Sequence, residues 1–533
     1  MLARTLRLGL SALWLTSYAA AARAADWPQW GGRDGRNMVS DEKGLPEAFE
    51  PGRKGSQGQG IDPQTTRNVR WAARLGSQTY GNPTVAGGRV FVGTNDDDLG
   101  DPRYESTRGG LLKCFDEPSG RLLWQLVMPR RPPSHKGMLY DHLNLGVCSS
   151  PTVDGDRVYV VSSRGEVLCL DVHGMADGNE GPLTDEAQYT VPRGKPPVPP
   201  GPNDGDIIWM FDMIADLPCC PQDASCSSLL VHGDLLYAGT SNGVDQSHER
   251  VPFPLAPSLI ALDKHSGRLV ACDDEKIGTR LFHGQWSSPS LGKVGRQTLI
   301  FFGAGDGLCY AFEAVTAASQ SPGPLRKVWS FDCNPPEYKF RDGKPTAYRD
   351  GDKRRNRGNR NDGTFVGPSE IIGTPVFHHN RVYVATGQDP AHGRGKGVLH
   401  CIDAAKTGDI TQSGKIWSYT DIERSIASPT IADGLLYIPD IGGRIHCLEA
   451  DTGKCCWVHE TRAEIWSSAL VADGRLYIGT KKGLLVMAAG KEAKVLSEIH
   501  LGSPAYCTPV VANGTLYVAS QRYLWAVQAM DGK

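Results

Sequence analysis

The chain has 533 residues, 40% of them hydrophobic and 22% charged, with a formal charge of −2 at pH 7. That is a globular balance with enough apolar side chain for a large core. Near-neutral charge supplies no basic face for nucleic acid or an anionic membrane, so neither is expected as a partner.

In chain order, Arg4 and Arg7 precede an apolar run from Leu8 to Ala22, and Ala22-Arg23-Ala24 is a small-x-small cleavage pattern. Residues 1–24 therefore read as a secretory signal peptide. A membrane anchor is the lesser reading, because the run is short and carries Ser11, Thr16 and Ser17. No Cys follows it for lipid attachment, and no later stretch is long and apolar enough to span a bilayer. The expectation is an exported, soluble monomer in the periplasm or outside the cell.

After an extension over 25–69, residues 70–530 carry one phrase in eight variants. It runs from Ser149-Ser150-Pro151-Thr152-Val153 through Asp154-Gly155 to Arg157-Val158-Tyr159-Val160, and closes on Leu168-Cys169-Leu170-Asp171. A later copy adds Thr452-Gly453-Lys454 and Trp457. A period of about forty residues, built from short strands and two-residue Gly turns, predicts an all-β, eight-bladed propeller of four-stranded antiparallel blades. First strands start near Gly81, Ser149, Ser227, Ser287, Gly373, Ala427, Ser467 and Cys507. An outer-strand Trp recurs as Trp124, Trp209, Trp329, Trp417 and Trp457, with Ala271 and Ser497 in its place in blades 3 and 7. Blade 8 runs out of chain before its fourth strand. Arg70–Leu75, carrying Trp71, is expected to complete it and close the ring.

Two positions vary little. The residue before each strand-opening Pro (or its equivalent) is Asn82, Ser150, Ser228, Ser288, Thr374, Ser428, Ser468 or Thr508, read as small because eight inner strands converge on the axis. The position two before the third-strand acid alternates Cys114, Cys169, Cys401 and Cys447 with Ala261, Ala311 and Ala526. Cys there behaves as a small buried hydrophobe, with no disulfide partner in reach.

Long insertions follow second strands at 94–110, 241–258 and 387–397, and long loops join blades at 127–146, 213–225 and 333–370. Strand alternation puts all of these on one face, as a cap over the channel. The Pro- and Gly-rich segment 172–206 joins third and fourth strands of blade 2, so it is expected on the opposite face as a flexible flap.

The repeat Ala/Cys-Leu-Asp-x-x-Thr-Gly-Lys-x-x-Trp resembles the tryptophan-docked propellers of the pyrroloquinoline quinone (PQQ) family, over roughly residues 70 to 530. Asp26-Trp27-Pro28-Gln29-Trp30-Gly31-Gly32 resembles the start of its exported bacterial members. The family includes quinoprotein dehydrogenases and non-catalytic relatives such as BamB-type assembly lipoproteins. The resemblance therefore implies the fold and leaves the occupation open.

As an enzyme of that kind, the chain would need PQQ, calcium held by oxygen ligands, an Asp base and often a vicinal disulfide, for which Cys219-Cys220 is the candidate. There is no Cys-x-x-Cys-His for haem c, and no Ca ligand set or base aligns. Asn95-Asp96-Asp97-Asp98 reads as a loop tip in preference to a calcium site. The His residues show no metal-site spacing, so no metal is assigned, and Lys353–Arg360 reads as a solvated run.

The candidate ligand-binding residues on the cap are His142, Asn144, Asn242, Asp245, His283, Gln285, Trp286, Gln388, Asp389 and Trp466. Trp286 and Trp466 share one repeat position with Tyr80 and Tyr506. Such a ring around the mouth either grips a planar or sugar-like ligand or plugs the channel as core. The leading expectation is a binding or assembly module with an unidentified protein or small-molecule partner. The alternative is a PQQ- and calcium-dependent dehydrogenase without haem c.

Overall fold

The structure is a computed structural model that describes residues 25–55, 60–133, 140–316, 321–349 and 363–529. The signal-peptide reading of 1–24 and the run Lys353–Arg360 lie outside these residues. Eight antiparallel sheets form the propeller. Blade 1 is typical, with Thr84–Ala86 innermost, then Arg89–Asn95, Gly110–Asp116 and Leu122–Met128 outermost. In blades 1 and 5 to 8 both residues of the turn between inner and second strands are left-handed, whereas in blades 2 to 4 only the first is, at Gly155, Gly233 and Gly295. Asp433, Asp473 and Asn513 have φ of 50°, 50° and 51°, each followed by a positive-φ Gly. That is the backbone a two-residue turn needs to match strand twist.

The ring closes between distant ends of the chain. Val69–Arg74 pairs antiparallel with Tyr523–Val527, with Trp71 opposite Ala526, as the outermost strand of blade 8. Closure leaves no ring edge free to template another strand.

Each docking Trp stands across from the small third-strand residue. The pairs are Cys114 with Trp124, Cys169 with Trp209, Ala311 with Trp329, Cys401 with Trp417 and Cys447 with Trp457. Each of those indoles then donates to a carbonyl in a neighbouring blade: Val172 for Trp124, Lys264 for Trp209, Ala404 for Trp329, Ala450 for Trp417 and Gly490 for Trp457. Trp71 donates likewise to Glu117 O in blade 1, at 2.8 Å. The Gly of the Thr/Ser-Gly turn lies flat on the ring. A Cβ at Gly120, Gly267 or Gly453 would sit 2.4, 2.4 or 2.6 Å from Trp71, Trp209 or Trp417. Blade-to-blade packing is thus written into the repeat at two positions.

The extension does something the repeat did not foretell. Residues 25–42 run once around the axis and bond to every blade. Trp27 pairs with Val85 of blade 1, and Pro28 O accepts from Val153 of blade 2. Arg36 donates to Leu229 O and Pro289 O of blades 3 and 4, and Gly35 O accepts from Phe377 of blade 5. Asn37 exchanges two bonds with Ile431 of blade 6, and Val39–Ser40 pairs with the inner strand of blade 7. The circle ends where it began. Ala25 O and a Glu42 carboxylate oxygen accept from Asn513 and Gly514 of blade 8, and Ala25 N donates to Glu42.

Segment 172–206 departs from the flap expected. Tyr189 and Glu186 are buried in it, and the Tyr189 hydroxyl donates to Glu166 at 2.8 Å. Asp204 bridges beside Gln125 on the outer strand of blade 1, and Arg103 of the cap insertion donates to that Asp204. The segment therefore wraps the outside of blade 1 up to the cap. Its apolar side chains gave it somewhere to pack that its Pro and Gly content concealed.

Candidate functional site

Inner strands converge on the axis, and the residues before them form two stacked rings of eight. The lower ring is Asn82, Ser150, Ser228, Ser288, Thr374, Ser428, Ser468 and Thr508, and all eight line one cavity. Their small size is more than packing, because each joins one blade to the next. Backbone N–H groups of Asn82, Ser150 and Ser228 donate to the hydroxyls of Ser150, Ser228 and Ser288. The chain of bonds resumes from Thr374 to Ser428, Ser468, Thr508 and back to Asn82. Where no such bond is recorded, between Ser288 and Thr374, the Trp30 indole donates to the Thr374 hydroxyl at 2.9 Å.

The upper ring is Tyr80, Cys148, Cys226, Trp286, Ile372, Ile426, Trp466 and Tyr506, again all lining the cavity. Trp466, Tyr506 and Tyr80 come from blades 7, 8 and 1 and stack nearly parallel, with centroids 4.2 Å (Trp466 to Tyr506) and 6.1 Å (Tyr506 to Tyr80) apart. Trp286 stands on blade 4, diametrically across from blade 8. Its indole N–H is held by the carbonyls of Gln222 and Ala224, each at 3.1 Å. Burial pushes the Tyr506 hydroxyl up to about 12, so it is a neutral donor.

Trp30 and the encircling extension form the floor. Beneath it Arg36 is fully buried, and its guanidinium bonds to Pro289 O, Leu229 O, Trp30 O and Gln29. The result is a cup of about 440 Å³ opening toward the cap. That is the size of a small-molecule site. Aromatic faces rise on two opposite sides, with sulfur and aliphatic walls between them. Among the described lining residues the charged ones are Asp223 and Asp389, with no Lys or Arg.

Of the ten residues proposed from sequence, Trp286, Asp389 and Trp466 line the cup. Asn242, Gln285 and Gln388 are buried braces. Gln285 donates to Asn242 O and Ser258, Asn242 accepts from Cys220 N, and Gln388 bonds to the buried Arg424. Asp245 is turned to Ser247 and Arg250 within its own insertion. His142 lies 3.4 Å from Asp223, and Asn144 O accepts from Asn95, while their neighbours Leu143 and Leu145 reach the cup. His283 sits behind Trp286, against His248 and His392. The chain-local spacing rule found no metal set because these three imidazoles come from three blades.

Sequence reasoning missed Trp30, Asp223, Cys148 and Cys226. The two Cys were available by register, since they occupy the position of Tyr80 and Trp286. Trp30 and Asp223 carry no repeat signal.

The cap is tied down by a second polar knot. Arg424, fully buried, donates to Ser369 and to Pro368 O. Glu370 accepts from the Tyr348 hydroxyl, Gly284 N and Asp389 N, and burial pushes its carboxyl up to about 8.

The residues of the cup do not fit PQQ. That quinone carries three carboxylates, and burying them against Asp223 and Asp389 with no cation on the described wall is unfavourable. Among the described residues, the groups of three or more His, Cys, Asp or Glu that come together are His248-His283-His392 and Asp171-His173-Asp177, and neither lines the cup. Asp96 is occupied by Ser106 and Thr107, and Asp98 by Arg74 and Lys113. Cys219 and Cys220 are buried, unbonded thiols that do not line the cup.

Comparison with known proteins places this geometry. The family model described as outer membrane protein assembly factor BamB matches residues 108–176, 201–459 and 442–533. No curated protein sequence matches. Among solved structures, a europium-containing methanol dehydrogenase is 13% identical with a TM-score of 0.56, covering 93% of this chain and 89% of its own. BamB from Moraxella catarrhalis is 13% identical with a TM-score of 0.49, covering 87% and 98%. The quinohemoprotein alcohol dehydrogenase from Comamonas testosteroni is 12% identical with a TM-score of 0.49, covering 97% and 82%. At these identities the likeness is one of fold.

Proposed function

The chain belongs to the BamB-type propeller family, and on that premise we propose that it is an exported binding module whose cup holds a planar or sugar-like small molecule. The carrying observation is the cup itself, floored by Trp30 and walled by two facing aromatic sides over a ring of hydroxyls. Aromatic faces take a flat ring or the apolar face of a sugar, and small polar groups below fix its orientation. Asp223 and Asp389 select for neutral or cationic ligands over anionic ones. Export is supported by the signal-like pattern of residues 1–24. A dehydrogenase reading is weakened by the two carboxylates, Asp223 and Asp389, and the lack of Lys or Arg among the described lining residues of the cup. A role in protein assembly draws only on the family description.

The test is a panel of neutral and cationic aromatic and saccharide ligands, screened by quenching of intrinsic Trp fluorescence and by thermal shift. Hits are expected to lose at least about tenfold in affinity in Trp466→Ala, because its indole is the largest ring of the stacked face. PQQ with calcium is expected to give no shift. A saturable PQQ complex, or hits indifferent to Trp466→Ala, refutes the proposal.

A further inference from the structure

Three imidazoles that are far apart in sequence meet on the rim beside the cup. His248 comes from the blade 3 insertion, His283 from the connection into blade 4 and His392 from the blade 5 insertion. One ligand nitrogen from each lies within 4.8 Å of the other two. His248 Nδ1 and His283 Nε2 face each other at 2.9 Å. His392 stands edge-on to both rings, with centroids 5.7 and 4.3 Å away.

We propose that His248, His283 and His392 form a three-histidine site for a divalent transition metal of the zinc type. Three neutral imidazoles suit zinc, nickel, cobalt or copper and do not suit calcium or magnesium, which require oxygen ligands. A tetrahedral ion with bonds of about 2.0–2.1 Å holds its ligand atoms roughly 3.3 Å apart. The facing pair at 2.9 Å therefore needs to open by only a few tenths of an ångström.

The surroundings support the assignment. His283 is 1% exposed, and its Nδ1 has no hydrogen-bond partner. His248 is half-buried, which gives an ion a way in past it, while the His392 side chain is nearly covered. Asp389 lies 3.9 Å from His392 Nε2, placing a carboxylate where it can orient that ring or offset the ion's charge. Asp389 also lines the cup, and His283 meets Trp286 edge-on, so the ion would share two wall residues with the ligand cavity.

The experiment is titration of the chelator-stripped full chain with Co²⁺, read by its visible ligand-field bands, followed by displacement with Zn²⁺. One equivalent is expected to bind with a tetrahedral spectrum and to raise the melting temperature. His248→Ala and His392→Ala lie at the rim and leave the core intact, and each is expected to weaken binding by roughly 100-fold or more. Asp389→Asn is expected to weaken it roughly 10- to 100-fold. His265→Ala, far out on the exposed surface, is expected to bind as the unmodified chain does. Absence of a saturable one-equivalent site overturns the proposal, as does undiminished binding in either rim variant.

Discussion

At the scale of single residues, the same side chain type serves different ends according to register. Cys114, Cys169, Cys401 and Cys447 each sit opposite a docking Trp, and burial pushes Cys169 and Cys401 up to about 12. Alternation with Ala made that slot legible in the sequence. Gln285 and Gln388 were not legible in the same way. Amides on a cap loop look like ligand contacts, and only the fold shows their bonds turned inward to Asn242 and Arg424. Asp141 gives a test at this scale. Burial raises its carboxyl to about 7, against the bonds it accepts from Leu145 N and Gly146 N. A folded-state pKa above the unfolded value means the folded form holds its proton longer. Its contribution is fully present below about pH 4 and is lost as pH rises through 7. Chemical denaturation between pH 4 and 8 is therefore expected to show the parent losing stability relative to Asp141→Asn, whose neutral amide buries no charge. The difference shifts in the variant's favour toward neutrality, at a slope approaching about 1.4 kcal/mol per pH unit.

At the scale of elements, the repeat encodes an interface as well as a blade. At the Trp71, Trp209 and Trp417 joints, an indole from one blade meets a carbonyl of the next and a turn Gly with nothing but hydrogen on its inner side. Trp71→Ala removes the joint that closes the ring and is expected to cost about 3–5 kcal/mol by urea unfolding. Gly453→Ala pushes a Cβ into Trp417 at a φ of 71° and is expected to cost at least about 1–2 kcal/mol. An unchanged midpoint in either variant contradicts this account. Strands, turns and closure were readable because each copy confirms the others. The cap insertions and segment 172–206 occur once, so no second copy fixed their place.

For the whole molecule, the cup depends on parts that sequence period cannot describe. Its walls come from all eight blades and were half legible, since Tyr80, Trp286, Trp466 and Tyr506 shared a register. Its floor comes from outside the repeat, where Trp30 and Arg36 belong to a segment with no homologous copy. Arg36→Ala is expected to lower stability by more than about 3 kcal/mol, because it leaves the carbonyls of Pro289 and Trp30 without a donor and takes one of two donors from Leu229 O, which keeps Thr152. A melting temperature within a degree of the parent contradicts that. The three-histidine cluster has the same origin as the floor, in that ring closure brings together residues no local pattern relates.

The circular path of residues 25–42 has a consequence in time. During synthesis these residues emerge about five hundred residues before their last partners, Asn513 and Gly514. The strand Val69–Arg74 waits just as long for Tyr523–Val527. Early blades can form as they appear and offer the segment its first partners, but its circuit closes only when blade 8 is made. Such long-range contacts are formed late and slowly. The ring and its encircling segment are thus completed together, by the contacts made last in the chain.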